Sequence, residues 1–162
     1  MFSPELKALS ENIGALLLAK KHVLTLAESC TGGLISALIT NTAGSSAWFD
    51  SGLITYSNQA KQDLLKVKDT TLAQYGAVSE EVAMEMAIGA LQQGRATIAV
   101  SVTGIAGPKG GTATKPVGTV CFAWTCDDLP SVSKTYLFHG NREQIREQST
   151  IALLIGLNDL LS

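Results

Sequence analysis

The chain has 162 residues, 46% of them hydrophobic and 16% charged, with a net charge of −2, a balance that suits one soluble domain spanning 1–162 with a sizeable core. It has no Lys/Arg run and no basic stripe with interleaved aromatics, which argues against a nucleic-acid partner. No apolar run reaches the length of a membrane span and the first residues lack the parts of a signal peptide, so no membrane partner and a cytoplasmic location are expected.

Ser3-Pro4 reads as an N-cap followed by proline at the first helical position. Leu6, Leu9, Ile13, Leu16 and Leu17 then follow helical spacing. Val23–Ala27 is a short apolar run that reads as a buried strand, ending at Glu28-Ser29. Gly32 and Gly33 loosen the backbone before a helix over Leu34–Ile39, so the unit is strand, tight turn, helix. Asn41–Ser46 is a polar loop and Gly52–Ser57 a second strand. Asn58 is placed to cap a helix containing Lys61, Leu64 and Leu65. Ser79-Glu80-Glu81 opens another helix, with Gly94 as its stop. Thr97–Val102 is a third strand, followed by a long glycine-rich loop from Thr103 to Pro116. Val117–Cys126 and Ser131–Phe138 form a strand pair joined by a turn at Asp127–Pro130. Gly140-Asn141 opens the closing helix, with Gln144 three residues after the cap. Together these elements predict an α/β fold: a three-layer α/β/α sandwich on a mixed sheet, parallel early and antiparallel at its end.

Three loops share one character: Ser29 to Gly33, Gly44-Ser45-Ser46, and Thr103 to Gly118 are each rich in glycine and hydroxyls. In open α/β sheets, ligands sit beyond the carboxyl ends of strands, where bare N–H groups and a helix N-terminus receive a phosphate or an oxyanion. Known signatures fail. Gly107-Pro108-Lys109-Gly110-Gly111-Thr112 is not a Walker A loop, and neither the dinucleotide fingerprint nor the G-x-S-x-G elbow is present. The Ser-x-x-Lys match at Ser131–Lys134 falls inside a predicted strand and is read as chance.

Ser29 has the local setting of a nucleophile, at a strand-to-helix turn followed by N–H groups suited to an oxyanion. It needs a base. His22 ends the first helix and His139 precedes the last, and both read as surface residues. A lysine serves if its pKa is lowered. Lys61, one turn into the helix after Tyr56-Ser57-Asn58, is a candidate, although spacing alone does not raise it above an ordinary solvated lysine. The three cysteines, Cys30, Cys121 and Cys126, include no Cys-x-x-Cys. A disulfide framework is not expected, and a metal site is poorly supported.

Ala27-Glu28-Ser29-Cys30-Thr31-Gly32-Gly33, Gly44-Ser45-Ser46, Tyr56-Ser57-Asn58 with Lys61, Gly76-Ala77-Val78-Ser79, Thr103-Gly104-Ile105-Ala106-Gly107-Pro108 and Lys115-Pro116-Val117-Gly118 together resemble the CinA C-terminal domain family, whose enzymes are nicotinamide-nucleotide amidases. The resemblance runs through nearly the whole chain in order. It implies hydrolysis of the carboxamide of nicotinamide mononucleotide to nicotinate mononucleotide and ammonia. It further implies no cofactor or metal, a small-molecule nucleotide as partner, and a homodimer. Carried onto matching positions, Ser29 is the nucleophile and Lys61 the base, with Tyr56 and Ser45 or Ser46 positioning them. Asn58 falls in the substrate site. Backbone groups around Thr31, Gly32 and Gly33, and around Thr103, Gly104 and Gly107, hold the oxyanion or the phosphate. Arg142 pairs with the phosphate or braces a loop.

Three positions depart from the family pattern: Lys66 in Leu65-Lys66-Val67, Lys109, and Thr97, where an aspartate is common. The last is expected to alter packing or a polar contact near the Thr103 loop. Two other readings compete. One is a catalytically silent paralogue that binds a pyridine nucleotide or a protein partner. The other is a phosphotransferase, which needs a metal site that no paired acidic cluster offers.

Overall fold

Helix α1 (Pro4–Lys20) starts as its sequence dictates: the Ser3 hydroxyl accepts from the Leu6 N–H at 3.2 Å, and Pro4 occupies the first turn. Leu6, Ile13 and Leu17 bury one face, and the chain turns into β1 (Leu24–Glu28), buried along its whole length. The structure is a computed structural model that describes residues 1–162. The remaining strands are β2 (Phe49–Ile54), β3 (Ile98–Gly104), β4 (Thr119–Cys126) and β5 (Leu129–Leu137). They form one sheet in the order β2-β1-β3-β4-β5. β1 is parallel to β2 and β3, while β4 and β5 run antiparallel. This is the mixed sheet expected from the alternating early elements and the late strand pair. No helix is long and apolar enough to cross a membrane.

Successive strand residues point to opposite faces, and here the two faces differ in size. Leu24, Leu26, Val100, Val102, Phe122 and Trp124 form the bulky face, covered by α1, α2 (Leu34–Thr40) and α6 (Arg142–Leu161). The other face is lined by Ala27, Ala99, Cys121 and Ala123. Against those small side chains lies α5 (Glu80–Leu91), which presents Ala83, Ala87 and Ala90. The Ser101 hydroxyl donates to the Ala83 carbonyl and ties the helix to the sheet. Helices α3 (Asn58–Leu65) and α4 (Asp69–Tyr75) pack on α5 in the same layer. The three-layer α/β/α sandwich is therefore the observed architecture.

Element limits differ from the expectation where an edge or a cap decides them. β2 begins three residues earlier than expected and ends at Ile54, leaving Thr55 and Tyr56 beyond the strand. As an edge strand it alternates half-buried and exposed positions, so its apolar run does not mark its ends. Pro130 lies inside β5 rather than in the preceding turn, which an edge strand tolerates because the missing N–H faces no partner. Ser57, not Asn58, caps α3, its hydroxyl accepting from the Ala60 N–H at 3.0 Å. α5 ends at Leu91, ahead of Gly94. α4 was not foreseen. None of its side chains is fully buried, and Leu72 alone packs against the core, so it has no apolar stripe. It is held by Glu85, which accepts from the Lys68 N–H at 2.8 Å and the Thr71 hydroxyl at 2.6 Å.

Lys66 ends α3 in the left-handed region, with φ 60, a conformation that favours glycine. An L-residue there costs about 1–2 kcal/mol, partly offset by glycine's larger unfolded-state entropy. Lys66→Gly is therefore expected to stabilise the protein by about 0.5–1 kcal/mol, read as a raised midpoint in urea. A lowered midpoint would show that the Lys66 Nζ bond to the Asp63 carbonyl outweighs backbone strain.

Candidate active site

β1 delivers Ser29 to the carboxyl end of the sheet, where its N–H donates to the Val102 carbonyl of β3 at 3.0 Å. The next residues make a turn that only a flexible backbone allows, with φ 55 at Gly32 and 97 at Gly33. Gly33 occupies the N-cap of α2 and has no side chain to cap it. Glu28 supplies the cap from the end of β1. Its buried carboxylate accepts from the N–H groups of Gly33, Ile35 and Ser36 at 3.2, 3.1 and 2.9 Å. It also accepts from the hydroxyls of Thr31 and Ser36 at 2.7 and 2.6 Å. On the outside of the turn, Arg146 donates to the carbonyls of Cys30 and Thr31 at 3.2 and 2.9 Å. Two ionic side chains thus clamp the segment that carries Ser29.

Lys61 sits on the other side. Lys61 is 1% exposed, an unusual burial for a lysine, because Leu65 on the same helix packs into the α5 layer. Its Nζ donates to Ser29 Oγ at 2.9 Å, to the Thr55 carbonyl at 2.9 Å and to the Tyr56 carbonyl at 3.1 Å. Burial lowers its pKa from the ordinary 10.5 to about 8. A neutral amine has two hydrogens and one lone pair. The two carbonyls can only accept, so they hold the hydrogens and leave the lone pair facing the serine hydroxyl. Burial pushes the thiol of Cys30, next to Ser29, up to about 12, so it stays protonated at neutral pH.

The other expected residues divide. Tyr56 acts on Lys61 through its carbonyl, while its exposed ring turns outward and its hydroxyl accepts from Arg142 at 3.0 Å. Arg142 also donates to the Gly107 carbonyl at 2.7 Å, bracing the long loop against the site. A recess of about 200 Å³ gathers Ser29, Lys61, Tyr56, Asn58, Thr103, Gly104 and Arg142. The Thr31 hydroxyl is committed to Glu28, and the N–H groups of Gly32 and Gly33 to Ser29 O and Glu28. The N–H groups of Cys30 and Thr31 donate to no backbone carbonyl. Ser45 and Ser46 are not brought to the site. They form the short 3₁₀ turn that enters β2, and because β2 is parallel to β1, that turn lies at the opposite end of the sheet. Thr97 also lies at that far end, bonded to His22 and Val23 rather than near the Thr103 loop. His139 is exposed as expected. His22 is not a free surface residue, its side chain being 11% exposed.

Glu28 and Arg146 escaped the sequence reading. A carboxylate ending a mostly apolar strand was the available signal for the first. For the second it was the four-residue spacing from Arg142, which places both on one face of α6.

The model of the CinA C-terminal domain matches residues 6–161. The chain belongs to this family. Among CinA-domain relatives, the nicotinamide-nucleotide amidohydrolase PncC of Escherichia coli K12 is 51% identical over 150 residues, covering 93% of this chain and 91% of that one. The protein of the same name from Enterobacter agglomerans is 54% identical over 151 residues, covering 93% and 92%. The crystal structure of the competence/damage inducible protein CihA from Agrobacterium tumefaciens superposes with a TM-score of 0.96 at 40% identity, covering 100% of this chain and 99% of that one.

Proposed function

We propose that this CinA-domain protein hydrolyses the carboxamide of nicotinamide mononucleotide, using Ser29 as nucleophile and Lys61 as base. It is an amidase of the hydrolase class. The observation that carries the mechanism is the buried Lys61 amine within hydrogen-bond distance of Ser29 Oγ, with two carbonyls holding its remaining hydrogens. The names of the amidohydrolase relatives support the substrate.

Neutral Lys61 takes the hydroxyl proton as Ser29 Oγ attacks the carboxamide carbon. The N–H groups of Cys30 and Thr31 receive the oxyanion, and the ammonium of Lys61 then returns the proton to the leaving nitrogen, releasing ammonia. Water, deprotonated by Lys61, attacks the ester carbon; Ser29 Oγ leaves and takes that proton back from Lys61, and the product acid loses its own proton to solvent as the carboxylate. Arg142 takes the phosphate in place of its contact with the Tyr56 hydroxyl.

Nicotinamide mononucleotide should release ammonia with this protein, and nicotinamide riboside, lacking the phosphate, should be cut with a much higher KM. No ammonia from the mononucleotide would remove the amidase reading and leave the silent paralogue. Equal KM for both substrates would remove the phosphate role of Arg142.

A further inference from the structure

At the end of the sheet remote from Ser29, three side chains of different donor chemistry converge. His22 lies in the connection from α1 to β1, Cys126 ends β4, and Asp128 sits in the turn to β5. Cys126 Sγ is 2.6 Å from Asp128 Oδ1 and lies beside the imidazole, 3.8 Å from His22 Nε2 and 4.0 Å from His22 Nδ1. His22 Nε2 is 3.7 Å from the same oxygen. Cys126 is 6% exposed and the His22 side chain 11%, whereas the Asp128 side chain, at 70%, opens to solvent.

The imidazole is anchored from behind. Thr97 Oγ1 accepts from the Val23 N–H at 2.9 Å, directs its own hydrogen to the Val23 carbonyl at 3.5 Å, and lies 2.8 Å from His22 Nδ1. Nδ1 is thereby anchored to Thr97, and with a metal on Nε2 the ring proton would sit on Nδ1 and be accepted by Thr97 Oγ1. An oxygen acceptor on one ring nitrogen is how a metal-binding histidine is oriented.

We propose that His22 Nε2, Cys126 Sγ and Asp128 Oδ1 bind a divalent cation of the zinc class, with water at the fourth position on the open Asp128 side. The donor set selects that class, since a sulfur ligand disfavours magnesium and calcium while imidazole and carboxylate suit zinc. Tetrahedral zinc spaces such donors about 3.3–3.6 Å apart. The two pairs that include His22 stand near that spacing, and a turn of the ring about its Nδ1 anchor brings Nε2 to face the sulfur. The Cys126–Asp128 pair widens by roughly 1 Å as the exposed turn swings outward. On binding, the S–H bond breaks, its proton goes to solvent and a sulfur–metal bond forms. The ion would pin the α1–β1 connection to the β4–β5 turn. No spacing motif announces this site, because its ligands come from opposite ends of the chain and meet only through the register of β3 with β1 and β4.

The test titrates the chelator-treated protein with Co²⁺, then displaces it with Zn²⁺. The expected result is one equivalent bound, a thiolate-to-cobalt charge-transfer band that zinc removes, and a Tm raised by about 5–10 °C at a hundredfold excess of zinc over its Kd. Cys126→Ser should lose the band and the Tm shift. His22→Gln and Asp128→Asn should each weaken binding tenfold or more, and ammonia release should be unchanged in all three. Absence of the band in the parent protein overturns the site, as does its persistence in Cys126→Ser. If Cys126→Ser does not fold, undiminished cobalt affinity in His22→Gln overturns it instead.

Discussion

Lys61→Met should abolish ammonia release while leaving the protein at least as stable as its parent at pH 7. The loss of rate is expected to be on the order of 10⁴-fold or more, matched by Ser29→Ala, because nucleophile and base act as one unit and their losses do not add. The stability effect has the opposite sign. A folded-state pKa of about 8 against an ordinary 10.5 means that the unfolded chain binds the extra proton between these values. Stability contributed by this group is therefore lowest below pH 8 and rises as pH climbs from about 8 to about 10.5. At neutral pH the buried ammonium costs about 3 kcal/mol. Methionine fills similar volume without the charge, although it leaves the Thr55 and Tyr56 carbonyls without a donor. Urea denaturation at pH 7 and pH 10 reads this directly: the advantage of Lys61→Met should shrink at the higher pH. The same pKa governs rate. In the parent, kcat/KM should rise tenfold per pH unit up to about pH 8 and then level, since about a tenth of Lys61 is neutral at pH 7. A profile flat from pH 6 to 9 would show that Lys61 is not the base.

The sheet was legible because its central strands are short apolar runs and its helices carry caps and stripes that local chemistry explains. The capping box at Asn141 and Gln144 is in place, and Ser29 stands at the turn its neighbours imply. Lys61 was not legible as a buried group. Its burial depends on α3 docking against α5, a contact between residues distant in sequence, and local pattern makes it one more helical lysine. Ser45 and Ser46 show the reverse failure. Their composition matches the Ser29 loop, but strand direction carries them to the far end of the sheet. Thr97 and Thr103 are six positions apart and lie near the two ends of β3, roughly 20 Å from each other at about 3.3 Å per residue. Composition marks which loops can carry chemistry, and strand direction decides which of them meet.

Glu28→Ala should be the most destabilising single change in the candidate site, and Glu28→Gln should separate that cost from catalysis. The carboxylate is fully buried and accepts from five donors across Thr31, Gly33, Ile35 and Ser36. Removing it leaves those groups without a partner in a dry interior and exposes the uncapped N-terminus of α2, a cost of about 3–5 kcal/mol. The glutamine variant keeps the volume and one accepting oxygen but turns an amide toward donors that need an acceptor. Its turn should persist with Ser29 and the Cys30 N–H displaced. Because a shift of about 1 Å at a reacting group lowers rate on the order of 10²-fold, kcat should fall by that factor. KM should change little, since Arg142 and the recess wall lie on other segments. The pH limb near 8 should stay, because the partners of Lys61 are Thr55, Tyr56 and Ser29 rather than Glu28. A Glu28→Gln enzyme that loses stability yet retains kcat well below its Tm would reduce Glu28 to a helix cap. A loss of kcat with the limb unmoved means that the residue ending β1 sets the geometry of the one that follows it.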